Sequence, residues 1–256
     1  MTIVAEPRAG SNLYRLFAWL SPSFPTGAFS YSHGLEAAAT AGAVHDRRSL
    51  QAWVTAIVCH GSGRMDADIL CAAYRAAAAA DAARLGTANG RGMAFRASAE
   101  LALESEQQGE AFLATCDAAW PQSLPANDAL RLPPNPPPHG PKGTCRANGG
   151  RVEAPRAHIC HSVAFGAAAA GAGIALDDAL VGYLGAFAAN LVSAGLRLGI
   201  IGQTDGQRIL ATIEPAVAAA VAAAMNRDPA DFGAATIAAD LFSIAHETQY
   251  SRLFRS

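Results

Sequence analysis

Apolar residues recur along this chain at helical spacing, with no convincing alternation of the kind that marks a half-buried strand. The clearest stripe is Leu50, Trp53, Val54, Ile57 and Val58, an i, i+3, i+4, i+7, i+8 pattern that Asp46 is placed to cap. Ahead of it, Leu13, Leu16, Phe17 and Leu20 share one face of a short helix begun by Ser11, and a second helix is expected over residues 29–41, ending at Gly42. A helix over residues 65–80 would turn Ile69 and Leu70 inward. One over residues 93–119 would bury Phe95, Leu101, Leu103, Phe112 and Leu113. Further on, helical spacing covers residues 162–173. Asp177 then caps an apolar run with Leu180, Val181, Leu184, Phe187, Leu191 and Val192 on one side. Thr204-Asp-Gly-Gln207 has the form of a capping box, opening a helix that runs to about residue 225 with Pro215 kinking it. Asp231 would cap the last helix, with Ile237, Leu241 and Ile244 facing inward. The pattern predicts an all-α fold, a single-domain bundle of roughly eight to ten helices.

One stretch breaks the pattern. Nine of the fourteen prolines fall between Pro121 and Pro155, together with Gly140, Gly143, Gly149 and Gly150, and apolar periodicity disappears. Residues 121–162 therefore read as a Pro/Gly-rich irregular insert or linker within a helical domain of residues 11–256, and residues 1–10 as a loose N-terminus.

Composition narrows the function. A formal charge of −2 with no basic stripe gives no footprint for nucleic acid or an anionic membrane surface. The uncharged run over residues 179–196 is long, but it is rich in Ala and Gly and holds Asn190 and Ser193, so a buried helix is expected rather than a membrane span. Lys142 is the only lysine against eighteen arginines, and its surroundings do not fit a phosphate-binding loop. Five cysteines, an odd number without a disulfide-framework spacing or a leading signal segment, fit a reducing cytoplasm. Cys59 and Cys71 read as small core residues.

The least ordinary segment is residues 19–36, WLSPSFPTGAFSYSHGLE. Pro22 and Pro25 stop the first helix, Gly27 frees the turn that follows, and Phe24, Phe29 and Tyr31 are too apolar for a solvent-facing linker. A packed interhelical turn and a binding loop fit this composition equally. At the other end, residues 246–256 carry Tyr250, Arg252, Leu253, Phe254 and Arg255. The arginines suit the negative end of a helix dipole, but the Leu-Phe pair asks for a docking partner.

Motifs for catalysis are scarce. There is no nucleophile elbow, Gly-rich dinucleotide fingerprint or His-Glu-x-x-His helix. Ser30, Ser32 and His33 offer the residue types of a small Ser/His hydrolase, although serines beside an aromatic loop are more often turn formers. His158, Cys160 and His161, with Cys145 and His139 upstream, offer ligands for a nickel or zinc carrier, but their spacing matches no closed structural zinc pattern. Glu104, Glu106 and Glu110 have no Glu-x-x-His partner and read as a solvated helix face. No catalytic residue, resident metal or cofactor is assigned.

Leu16, Trp19, Leu20, Ser21, Pro22, Phe24, Pro25, Gly27, Phe29, Ser30, Ser32, His33, Gly34, Leu35 and Glu36 together resemble the N-terminal signature of the UreF-type urease accessory proteins. Glu104-Ser105, Gln108-Gly109, the run over residues 187–195, Gly202-Gln-Thr-Asp-Gly-Gln-Arg208 and the tail are similar to further parts of the same family, in the same order. The resemblance implies a cytoplasmic, non-enzymatic helical protein that forms a homodimer. It also implies a role bridging UreD to the GTPase UreG while nickel is installed in apo-urease. Carried onto this sequence, it makes His246, Tyr250, Arg252, Leu253, Phe254 and Arg255 the partner-contact candidates. Ser30, His33 and Glu36 become polar members of the same surface, with Pro22, Phe24, Pro25, Gly27 and Phe29 shaping the loop. The chain departs from the family over residues 122–162, where helix and a Tyr-Pro would be expected before Val163 to Gly166. The mixture of Pro, Arg, Gly, His and Cys there is what a shifted reading frame in a GC-rich gene produces. An intact in-frame segment in independently sequenced clones would overturn that explanation.

Overall fold

The computed structural model of the chain describes residues 9–124 and 158–256. In chain order these form α1 (Ala9–Trp19), α2 (Leu35–Thr40), α3 (Arg47–His60), α4 (Ser62–Ala78), α5 (Ala82–Ala94), α6 (Ala99–Ala119), α7 (His161–Gly171), α8 (Leu176–Arg197), α9 (Gln203–Asn226) and α10 (Ile237–His246). Short 3₁₀ turns lie at Ala28–Ser30 and Pro121–Ser123, and no strand occurs among the described residues. The fold is all-α, as the periodicity requires.

The two central helices are α4 and α7. The α7 sequence HSVAFGAAAAG is apolar all round, with residues 162–169 buried, so it is the core rather than a surface element. Its small side chains let it approach α4 closely: a Cβ at Gly166 would lie 2.8 Å from the Leu70 carbonyl oxygen. Around this pair, α3, α5, α6 and α8 add Leu50, Val54, Leu85, Phe112, Leu180 and Leu184, all fully buried. The α3 stripe behaves as its spacing demands, with Asp46 and Ser49 forming a reciprocal capping box at its start. The helices α8 and α9 are each long and apolar enough to cross a membrane by length and composition alone. Leu180, Leu184, Leu191 and Val192 of α8 are instead spent on this core.

Several expectations change. Residues 82–94 form α5, which the Gly-Thr-Ala-Asn-Gly-Arg-Gly composition conceals, and α6 starts only at Ala99, capped by Ser98. Phe95 therefore sits at a bend and is exposed, as is Leu103. In α1 only Leu16 and Trp19 are buried, whereas Leu13 and Phe17 are exposed and Leu20 is intermediate. The inward face expected for α10 is the outward one: Ile237 and Leu241 are 73% and 61% exposed and Ile244 is also exposed. That helix packs through Phe242, Ser243 and His246 instead, and its N-cap is Thr236 while Asp231 pairs with Arg64. Pro-rich residues 125–157 lie outside the described residues. The end of that stretch does not continue its character, because Ile159 and Cys160 are buried in the core and α7 begins at His161.

Candidate functional site

The opening block and the tail meet in space. Arg255 donates its backbone N–H to the Ser30 carbonyl at 2.8 Å, and Ser32 returns one to the Ser256 carbonyl at 2.8 Å. This exchange lays residues 254–256 beside residues 30–32. Gly34, in the left-handed region at φ 75°, then turns the chain into α2 against α10; a Cβ there would stand 2.7 Å from the Ser243 nitrogen.

The junction is held by carboxylates. Glu36, 6% exposed, receives the N–H of Leu253 at 2.7 Å on Oε1 and that of Phe254 at 2.9 Å on Oε2. The same Oε2 lies 3.1 Å from His246 Nε2, whose other ring nitrogen is 2.7 Å from Glu100 Oε2. Both imidazole nitrogens thus face carboxylate oxygens, an arrangement satisfied when both donate. Glu100 also pairs with Arg252. One turn further along α6, Glu104 accepts from Gln108 at 2.8 Å and from the Ser256 hydroxyl at 3.0 Å, and contacts His33 Nε2 at 3.0 Å. Phe254 is buried, with the Arg197 guanidinium 4.2 Å from its ring centre.

These contacts divide the candidate residues. His33, Glu36, His246 and Phe254 are buried struts, Ser30 and Gly27 are partly covered, and Phe29, Tyr250, Arg252, Leu253 and Arg255 are exposed. Among the loop-shaping residues, Phe24 packs on Phe112 and Trp120, Gly27 adopts φ 75°, and Pro22 and Pro25 remain at the surface. Glu104 is not on a solvated face as expected; it is 5% exposed inside the junction. Its charge gives no sequence signal of burial, since beyond Gln108 on the same helix its partners His33 and Ser256 come from near the two ends of the chain.

Beneath the opening block lies a cavity of about 270 Å³, with Trp19, Phe24, His33, Glu104, Tyr183 and Phe187 among its lining residues. At its floor Asp66 takes a 2.8 Å ion pair from Arg96 and a 3.1 Å hydrogen bond from Ser162. Burial opposes the charge on Arg96, but Asp66 beside it raises the guanidinium pKa. His161, in contact with Phe165 and with Tyr183, whose hydroxyl reaches Asp66, is shifted down to about 4, chiefly by burial and in spite of Asp66 and Glu104. A histidine that is neutral when folded and free to protonate when unfolded destabilises the chain as pH falls from about 6.5 towards 4. We expect urea unfolding to show a loss of about 2 kcal/mol between pH 7 and pH 5 from this group alone. His161→Phe should remove that component of the pH dependence.

Neither chemical alternative is assembled. Among the described residues no hydrogen bond joins Ser30 or Ser32 to His33; the Ser32 hydroxyl is given to the Ser256 carbonyl. Of the metal-carrier cluster, Cys160 is buried with its thiol pushed up by desolvation, His161 turns towards Tyr183, and His158 pairs with Glu106 at the surface. Glu106, Glu110 and His158 bring their ligand atoms within 4.8 Å of one another, the one such group among the described residues, and its Glu106 and His158 already form an ion pair. Cys145 and His139 lie outside the described residues.

The family model of UreF matches residues 44–214. The chain belongs to the UreF family. It is 46% identical over 244 residues to a protein named urease accessory protein UreF from Granulibacter bethesdensis, covering 95% of this chain and 94% of the relative. It is 42% identical over 253 residues to the Azorhizobium caulinodans protein of the same name, covering 99% of each. The near-equal lengths mean that the Pro-rich stretch of this UreF chain adds little to its length. The family model ends before the tail and begins after the opening block, so the junction of the two is a structural finding independent of that match.

Proposed function

We propose that this UreF chain is a urease maturation factor, a cytoplasmic and non-catalytic adaptor. In this reading it acts as a homodimer and bridges UreD to the GTPase UreG in the complex that installs nickel in apo-urease. The observation that carries it is the seating of the tail on the opening block by Glu36, which fixes one composite surface where Tyr250, Arg252, Leu253 and Phe29 stand exposed. Tyr, Arg and large apolar side chains held on a rigid frame are the anchors of protein interfaces. The outward stripe of α10 continues the apolar character with Ile237, Leu241 and Ile244, and the outward face of α1 offers Leu13, Tyr14 and Phe17. A dimer contact and two different partners need separate faces, and these patches supply more than one.

The test is co-purification of tagged UreD and UreG partners with the wild-type chain, a chain truncated before Tyr250, and a Tyr250→Ala/Leu253→Asp double variant. The double variant changes only exposed side chains, so its stability should stay within about 0.5 kcal/mol of wild type. UreD capture should weaken by about 30-fold or more, the effect of removing an interface hot spot. Unchanged capture by both variants would remove the tail from the interface.

A further inference from the structure

A second cavity, of about 470 Å³, lies between α4, α5 and the segment after α9, and shares no lining residue with the tail junction. Its walls carry four arginines, Arg75 from α4, Arg84 and Arg91 from α5, and Arg227 beyond α9, against two carboxylates, Asp68 and Asp228. The lining is therefore cationic in a chain whose formal net charge is −2. Arg227 is committed to Asp68 Oδ1 at 2.9 Å, and Arg84 to Asp81 at 3.3 Å. Arg75 and Arg91 are different: each gives a guanidinium N–H to a carbonyl, that of Met225 at 2.7 Å and of Pro229 at 3.3 Å, and among the described residues neither pairs with a carboxylate. These carbonyls fix the two guanidinium groups in place and leave further N–H donors in each five-donor fork.

Asp68 supplies the second half of the argument. Its side chain is 10% exposed, and its Oδ2 is buried without a hydrogen-bond partner. Desolvation raises its pKa. A buried acceptor in this state asks for a donor, because the hydrogen bonds it gave up to water are not replaced. Phe232, stacked under the Arg91 guanidinium at 5.6 Å, adds a flat apolar face to the same cavity.

The geometry points to a binding site for a phosphorylated small molecule that also carries a hydroxyl donor, of nucleoside diphosphate size, with Arg75 and Arg91 on the phosphates and Asp68 on the hydroxyl. Guanidinium groups match phosphate oxygens in a bidentate fork, and a carboxylate is a natural acceptor for a ribose hydroxyl. A bare phosphate leaves most of 470 Å³ unfilled, whereas small-molecule sites of about 300–1,000 Å³ are usual. The site does not rest on the adaptor reading.

Calorimetric titration of the full chain at low ionic strength with ADP, inorganic phosphate and adenosine tests it. ADP should bind at least tenfold more tightly than phosphate or adenosine, and Arg75→Gln/Arg91→Gln should weaken ADP at least tenfold. Arg84→Gln, which costs the fold no more than an exposed ion pair with Asp81 but lowers the positive charge of the cavity wall, keeps the test independent of misfolding in the double variant and should weaken ADP at least threefold. ADP affinity no better than that of phosphate, or unchanged in the arginine variants, would overturn the assignment.

Discussion

Glu36→Ala is expected to destabilise the chain by about 3–5 kcal/mol and to open the amides of Leu253 and Phe254 to hydrogen exchange. The carboxylate is almost fully buried and serves three donors: two tail amides and the His246 ring. Removing it leaves His246 facing Glu100 alone and strands two backbone N–H groups that cannot reach water without undocking. The cheaper response is for residues 252–256 to leave the opening block. Phe254 then loses its cover under Arg197, and Ser256 its bonds to Ser32 and Glu104. Equilibrium urea unfolding gives the loss, and exchange mass spectrometry of the C-terminal peptide locates it. Tail amides that stay protected in the variant would show that Phe254 packing and the bonds to Ser30, Ser32 and Glu104 hold the tail without Glu36. Under the proposed adaptor role, UreD capture should fall with the release, since the exposed Tyr250 and Leu253 would no longer be held in one arrangement.

Arg96→Met should cost a similar amount, about 3–5 kcal/mol, for a different reason. Asp66 would remain in the interior with only the Ser162 hydroxyl at 3.1 Å and the Tyr183 hydroxyl at 3.4 Å to stabilise its charge. The double variant Arg96→Met/Asp66→Leu removes both charges together and should recover most of the loss, as replacement of buried ion pairs by apolar groups commonly does. Chemical denaturation of the two single variants and the double variant closes the cycle. A double variant as unstable as the sum of the two singles would mean that the pair is uncoupled.

How much of this was legible in the sequence depends on where each residue's partners lie. In α3 everything is local: Asp46 caps three residues ahead, and the stripe from Leu50 to Val58 names its own buried face. In α10 the same spacing misleads. Ile237, Leu241 and Ile244 mark an apolar face, but periodicity says only that a face exists, and here the bundle is served by Phe242, Ser243 and His246. Glu104 and Glu36 look alike in sequence to any surface carboxylate. Their burial follows from donors up to 218 residues away, which no window of sequence contains. The His158, Cys160 and His161 cluster fails in the opposite direction, because neighbours in sequence point to different sides of the chain once α7 begins.

By itself, then, the sequence determined the all-α class, the positions of most helices, the unusual character of residues 19–36 and of the tail, and the resemblance to the UreF family. Those are properties of local spacing, turn chemistry and residue order. What needed the packed bundle was the meeting of the opening block with the tail, the burial of the histidines and glutamates between them, and the exposure of Phe29, Tyr250, Arg252, Leu253 and Arg255 around them. The reason is physical: a buried carboxylate is tolerated only where donors converge on it, and convergence is set by how α2, α6 and α10 pack, not by any one of them.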